Sequence, residues 1–476
     1  MDKMDWSRAA KKAPEWFRDA KFGLFFHWGP YSAAQYQDEW YSRRMYEKGH
    51  PCYEHHVKTY GSVHDFGYKD FYPMMTDKGF DPKEWARLVK RSGARYAGPV
   101  SEHADNFAMW DSQVNPVNSV NYGPKQDVVG ACFEAFRAEG IKTLATFHHQ
   151  WLWGWFMSTD AEADVYIPGN EKFYGPILPL EANRANPYIL PDKAFCQNWK
   201  DKVTEVIDKY DPDVVYFDSR AIIIDEAYRF AMADYYYNQK QKTDGIITYK
   251  WKDFPEGTGV FDIECGRFAK ISEEPFQVDD RLEDHPTTWS MVENPKYHSS
   301  AHVIALLSDV VSKNGNLLLN VGPYADGHFH PDAVKALEEV GDWLSVNGEA
   351  IYGTRPFLVY GEGMAEGGES TYDTGKLGTR MDMGNTIDRK DLCVTEKEFR
   401  FTRKGDCVYA IAFGWPEDGV FHIETFQRKG IWDKELHKVS MCGLEGALSF
   451  TQDERGLHVK APGKKPCDSA FVLKIE

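Results

Sequence analysis

The sequence predicts a (β/α)8-like (TIM-type) barrel followed by a C-terminal antiparallel β-sandwich, and three observations carry that prediction. The first is a rhythm. Helical stretches such as KEWARLVKRSG, VVGACFEAFRAEG, YRFAMADYYYNQKQKTDG and AHVIALLSDVVSKNG each stop at a glycine and lead into a short apolar run, ARYAGPVSEH, IKTLATFHH, IITYKW and NLLLNVG in turn. The second is what the runs end on: Glu102 and His103, His148 and His149, Lys250 and Trp251, Asn320, and Asp218 in DVVYFDSR. Parallel strands carry such ends to one mouth, which is where barrels and open α/β sheets bind their ligands. With FGLFFHWG ending on His27, at least six units precede residue 350, which favours a barrel over an open sheet. The third observation is a change of pattern. From Pro356 the helices give way to FRFTRKG, CVYAIAFGW, FHIETF, LSFTQDERG, LHVKA and SAFVLKIE, which alternate apolar and polar residues between Gly or Asp turns. The expected domains are residues 1–355 and 356–476.

Taken in order, residues 1–20 read as one helix that turns Trp6 and Trp16 towards the barrel. Residues 31–76 and 151–190 are long aromatic and polar excursions after strands, and belong with the active-site loops rather than with linkers. Gly93, Gly140, Gly245 and Gly315 are expected in the left-handed conformation that closes a helix. HPDAVKALEEVGDWLSVNGEAIYGT is the helix that completes the barrel, and GEGMAEGGES reads as a loop between the two parts.

At 476 residues the chain suits two domains, and 42% hydrophobic residues supply a large core. Aromatics reach 15%, an excess that suits the flat apolar faces of sugars, although a barrel with large helices also absorbs it. A net charge of −17 argues against nucleic acid and anionic membrane surfaces as partners. Eight cysteines without a C-x-x-C pair resemble reduced structural thiols, not a zinc site or a disulfide framework. MDKMDWSRAAKK has no apolar segment of signal length, so a cytoplasmic protein is expected as written, or a periplasmic or secreted one if a leader has been removed. Homo-oligomerisation is left open.

Two chemistries fit the strand ends. His27, His103, His148, His149 and Asp218 have the donors of a metal hydrolase, but H-E-x-x-H and H-x-H spacings are absent. A glycosidase needs instead two carboxyl groups across a sugar, with His and Trp around it and no metal or other cofactor. Asp218 would be one carboxylate; the other would come from Asp262, Glu264, Glu273, Glu274, Asp279 or Asp280. Asp218 also suits a helix cap or a pairing with Arg220, and Glu264 a pairing with Arg267 or Arg281.

The stretches KFGLFFHWGPYSAAQYQDEWYSRRMY, NSVNYGPKQDVVG, DVVYFD, FDIECGR and SKNGNLLLNVGPYADG…WLSVNGEAIYGTRP resemble, in order over roughly residues 15–356, the α-L-fucosidases of glycoside hydrolase family 29. The resemblance implies a retaining exo-acting hydrolase of terminal α-L-fucosyl residues with a carbohydrate as its partner. It places the nucleophile on Asp218 and, through the D-x-E-x-G pattern of one subgroup, the acid/base on Glu264. Sugar contacts fall on His27 and Trp28 (H-W-G), Glu39 and Trp40 (E-W-Y) and His103, with His148, His149 and Trp251 added at neighbouring strand ends; Trp28 and Trp40 also suit the core. Ala104 stands where the family's second sugar-binding His is usual, and His148 or His149 occupies a strand where the family often has Tyr. That departure keeps α-L-galactosidase open as an alternative, and a non-catalytic sugar-binding protein as another.

Overall fold

Eight parallel strands close into a barrel in the order Phe22–Phe26, Tyr96–Glu102, Lys142–Phe147, Val214–Phe217, Ile246–Tyr249, Val260–Glu264, Phe276–Arg281 and Gly315–Asn320, the last pairing with the first. This computed structural model describes residues 4–178, 189–363, 397–432 and 434–476, and the backbone of 386–388. The barrel expected from the helix and strand rhythm is therefore present. Six of its strands are the apolar runs of the sequence. The other two, VFDIE and FQVDDR, are missed because they carry a polar residue at alternate positions, Asp262 and Glu264 in one and Gln277, Asp279 and Arg281 in the other. Asp262, Gln277, Asp279 and Arg281 are buried and Glu264 is half-buried, so these strands do not read as core.

Gly93 and Gly140 close their helices with φ 86° and 74° as expected. Gly245 and Gly315 do not. Asn314 takes the left-handed turn instead, at φ 84°, and a Cβ on Gly315 would stand 2.6 Å from the Phe276 ring, so that glycine serves packing. The single helix expected at the N-terminus is two short ones, Trp6–Ala9 and Glu15–Ala20, separated at Pro14, whose ring has no N–H to continue a helix. Residues 31–76 hold four short helical pieces: Tyr31–Ala34, Tyr41–Arg44, Pro51–Thr59 and Tyr68–Met74. Of the second excursion, residues 179–188 lie outside the described residues, as do residues 364–370 of the expected glycine-rich loop and Cys393. The seven described cysteines are free thiols. No described helix is long and apolar enough to cross a membrane.

The C-terminal part is a five-stranded antiparallel sheet (Arg355–Glu362, Phe399–Lys404, Cys407–Ala412, Phe471–Ile475, Val439–Met441) facing a three-stranded one (Val420–Ile423, Gly456–Lys460, Phe450–Asp453). Phe357, Phe401 and Leu473 from the first pack with Phe421, Ile423, Leu457 and Val459 from the second in one core, as a sandwich requires. The sheet is also joined to the barrel. Trp343 Nε1, on the helix Pro331–Asn347, donates to the Ala470 carbonyl at 2.8 Å. Asp309, on the helix Ser300–Ser312, meets three cations: Arg400 of the sheet at 2.6 Å, Lys313 at 2.6 Å and Arg267 at 2.9 Å, all buried.

Asp309 therefore holds three buried positive charges that have little water to fall back on. Asp309→Asn should lower stability by about 3–5 kcal/mol, the range for breaking a buried pair, seen as a lower midpoint in thermal unfolding. An unchanged midpoint would mean that the cations find other partners.

Candidate active site

Strands four to seven of the barrel are neighbours, and their C-terminal ends bring Asp218, Lys250, Glu264 and Asp279 together. Lys250 follows Ile246–Tyr249 and is buried, with Nζ donating to Asp218 Oδ1 at 2.9 Å, Glu264 Oε2 at 2.9 Å and Asp279 Oδ2 at 3.0 Å. Burial works against its charge, yet Asp218, Asp279 and Glu264 together hold the ammonium well above the usual lysine range. Trp151 Nε1 donates to the other Asp218 oxygen at 2.9 Å. Glu264 is shifted upwards, first by desolvation and then by the carboxylates of Asp279 and Asp218, against the pull of Lys250. Below them Asp262 is pushed well above the carboxylate range by burial and by Asp279, and accepts from Gln277 Nε2 at 2.7 Å. Asp218 thus neither caps a helix nor pairs with Arg220, whose guanidinium lies over the Trp151 ring at 4.8 Å. Glu264 pairs with Lys250, while Arg267 turns away to Asp309.

Three imidazoles line the opposite side of the same pocket. The rings of His27, His103 and His148 have centroids 5.7, 5.2 and 4.9 Å apart. Burial lowers His27 to about 4 and holds the other two well below the usual histidine range, so all three are neutral near pH 7. Asn320 fixes the first of them. Its Nδ2 donates to the Trp289 carbonyl at 2.6 Å, which leaves Oδ1 to accept from His27 Nδ1 at 2.7 Å. Glu39, on the first excursion, accepts from the Trp289 backbone N–H at 2.9 Å, and burial with neighbouring Asp38 raises it to about 8. Trp40 and Trp151 meet edge to face at 5.5 Å and form an aromatic wall.

Of the residues singled out from sequence, His27, Glu39, Trp40, His103, His148, Asp218 and Glu264 line this one pocket. Three others lie outside its lining. Trp28 is fully buried against Phe80 and Trp85, as its core alternative requires. His149 stacks on Trp199 and donates Nε2 to that residue's carbonyl at 3.2 Å. Trp251 sits at φ 58°, in a turn just beyond Lys250. The pocket also contains Asp279, one of the alternative carboxylates named from sequence, together with Lys250, Trp151 and Trp289. Lys250 was legible by the strand-end rule, since it is the first residue after its strand and Trp251 the second. Trp151 and Trp289 carry no such signal, because loops bring them in.

A barrel mouth in which three carboxyl groups share one ammonium, between imidazoles and indoles, has the groups of a glycoside hydrolase. The chain belongs to the alpha-L-fucosidase family: the family model Alpha-L-fucosidase matches residues 2–349, and the model of the alpha-L-fucosidase C-terminal domain matches residues 393–476. Among its relatives, human tissue alpha-L-fucosidase is 26% identical over 496 residues, covering 99% of this chain and 91% of that protein. A putative alpha-L-fucosidase of Caenorhabditis elegans is 29% identical, covering 99% and 92%. The solved structure of Thermotoga maritima alpha-fucosidase in complex with fucose superposes with a TM-score of 0.74 at 26% identity, covering 98% of this chain and 97% of that one.

Glu39 links the pocket to stability. Its folded-state pKa, about 8, lies above the 4.5 of a free Glu, so the folded protein binds this proton more tightly than the unfolded chain does. Its contribution is fully present below about pH 4.5 and is lost as pH rises through 8. The thermal midpoint of Glu39→Gln should therefore fall less between pH 5 and 8 than that of the wild type, by roughly the one to two degrees that a kcal/mol or two represents in a chain of this length. Parallel curves for the two proteins would contradict the assignment.

Proposed function

We propose that the protein is a retaining exo-α-L-fucosidase that hydrolyses terminal α-L-fucosyl residues from oligo- or polysaccharides. The observation that carries this reading is the sharing of Lys250 Nζ by Asp218 Oδ1 and Glu264 Oε2 at 2.9 Å each. Those two oxygens stand no more than about 6 Å apart, which suits a nucleophile and acid/base pair of the retaining kind and is short of the roughly 6.5–9.5 Å that an inverting enzyme leaves for water.

On this reading Asp218 attacks the anomeric carbon while Glu264, shifted upwards first by desolvation, delivers a proton to the departing oxygen. The glycosyl–enzyme ester is then opened by water, with Glu264 accepting the water's proton. Trp151 and Lys250 each donate to one oxygen of Asp218 and so hold its carboxylate plane in place for attack. Neutral His27, with Nδ1–H committed to Asn320, offers Nε2 as an acceptor for a sugar hydroxyl, and protonated Glu39 offers a donor. Trp40 and Trp289 supply apolar walls. Ala104 is buried in the apolar core and does not line the pocket, whereas His148 does, so a third imidazole reaches the sugar from the next strand. That supports L-fucose over L-galactose as the sugar.

Two assays test the reading. Glu264→Ala should lose about 10²–10⁴-fold on natural fucosides, whose leaving groups need protonation, and far less on aryl fucosides with good leaving groups. Equal losses on both would remove Glu264 from the acid role. Side by side, the aryl α-L-fucoside should be turned over faster than the aryl α-L-galactoside. A tenfold preference for the galactoside, about 1.4 kcal/mol in transition-state binding, would overturn the assignment of the sugar.

A further inference from the structure

We propose that His27, His103 and His148 form a binding site for a divalent cation of the Zn2+ type that overlaps the sugar pocket, so that the ion and the glycoside exclude one another. The cation site stands on the geometry of the imidazoles; the inhibition rests on the reading that this pocket takes the sugar.

One ring nitrogen of each histidine lies within 4.8 Å of those of the other two. Tetrahedral zinc, with Zn–N of about 2.0–2.1 Å, needs nitrogens roughly 3.4 Å apart, so the rings need close by at most about 1.4 Å. The site divides that task between a fixed and two adjustable ligands. His27 is fixed: Asn320 Oδ1 accepts from its Nδ1 at 2.7 Å, which leaves the lone pair on Nε2. A ligating histidine whose second nitrogen is held by an oxygen acceptor is the usual arrangement at zinc, where it sets ring orientation and ligand basicity. By contrast, Nδ1 of His103 and Nδ1 of His148 are buried without a hydrogen-bond partner among the described residues, so neither ring breaks a bond at that atom when it turns.

The same pocket holds the carboxyl groups of Asp218, Glu264 and Asp279 as well as the Lys250 ammonium, so a cation there stands beside three carboxyl groups and one positive charge. All three imidazoles are buried and face the same pocket. Three nitrogens leave one tetrahedral position for water. Because all three histidines line the pocket with Asp218 and Glu264, an ion there occupies the place of the sugar and acts as an inhibitor.

The test uses the full chain in metal-free buffer. Co2+ titration followed by its visible d–d spectrum, and Zn2+ titration by calorimetry, should each give one ion per chain. X-ray absorption on the zinc-loaded wild type should give three histidine nitrogens in the first shell. His103→Phe and His148→Phe should each weaken binding on the order of a hundredfold or more, whereas His422→Phe, at an exposed histidine pair of the C-terminal sheet, should leave it unchanged. Zn2+ should raise KM for an aryl fucoside and leave kcat unaltered. Absence of stoichiometric binding to the wild type, fewer than three histidine nitrogens in the absorption spectrum, or wild-type affinity in either pocket variant would overturn the cation site. A fall in kcat with KM unchanged would overturn the overlap. A wild type that binds zinc in this way yet turns over no fucoside would sink the proposed function and leave the cation site standing.

Discussion

Lys250 is the interaction on which the mouth of the barrel depends. Three carboxyl groups converge there from three other strands, and without a cation between them their mutual repulsion in a desolvated site would drive the strand ends apart or hold the carboxyls neutral. The ammonium makes a hydrogen bond to each of the three, at 2.9, 2.9 and 3.0 Å, and so uses all its protons. The barrel register makes the meeting possible: Phe217 is level with Tyr249, Tyr249 with Phe261, and Glu264 with Asp279. Asp218 and Lys250 thus follow one level of the sheet, and Glu264 and Asp279 lie two residues further along their strands, within reach of the Lys250 side chain. Under them Asp262 is shifted upwards by burial and by neighbouring Asp279.

The segment that carries Glu264 is also tied to the far side of the molecule. Three residues on, Arg267 pairs with Asp309, and Asp309 pairs with Arg400 of the C-terminal sheet. The barrel core continues into that sheet through Tyr409, Ile411 and Val472. The C-terminal sandwich is thus joined to the chain just after the sixth strand by buried charge as well as by apolar packing. Ion pairs of this kind, out of reach of water and salt, fix geometry more firmly than surface pairs do.

Much of this was legible in the sequence, and the exceptions have physical causes. Runs such as FGLFF and VVYF announce buried strands because both faces of a barrel strand are covered. VFDIE and FQVDDR escaped because their inward faces are polar, and an alternating pattern on its own does not say whether its polar face meets water or a buried ammonium. Strand-end position identified Asp218, His27, His103 and His148. It also drew in His149 and Trp251, since periodicity locates the end of a strand only to within a residue and neighbouring side chains point to opposite sides. Glu39 and Trp40 were legible only through family resemblance. Trp151 and Trp289 depend on how loops fold back, which no local pattern encodes.

The central claim is that Lys250 holds Asp218 and Glu264 as the pair of a retaining glycosidase. A 2-deoxy-2-fluoro-α-L-fucosyl fluoride, whose glycosyl–enzyme ester hydrolyses slowly, tests it most directly by intact-mass and peptide mass spectrometry. The account predicts one fluorofucosyl group per chain, attached to Asp218. A label on another residue, or reagent consumed with release of the inverted sugar and no label at all, would contradict it.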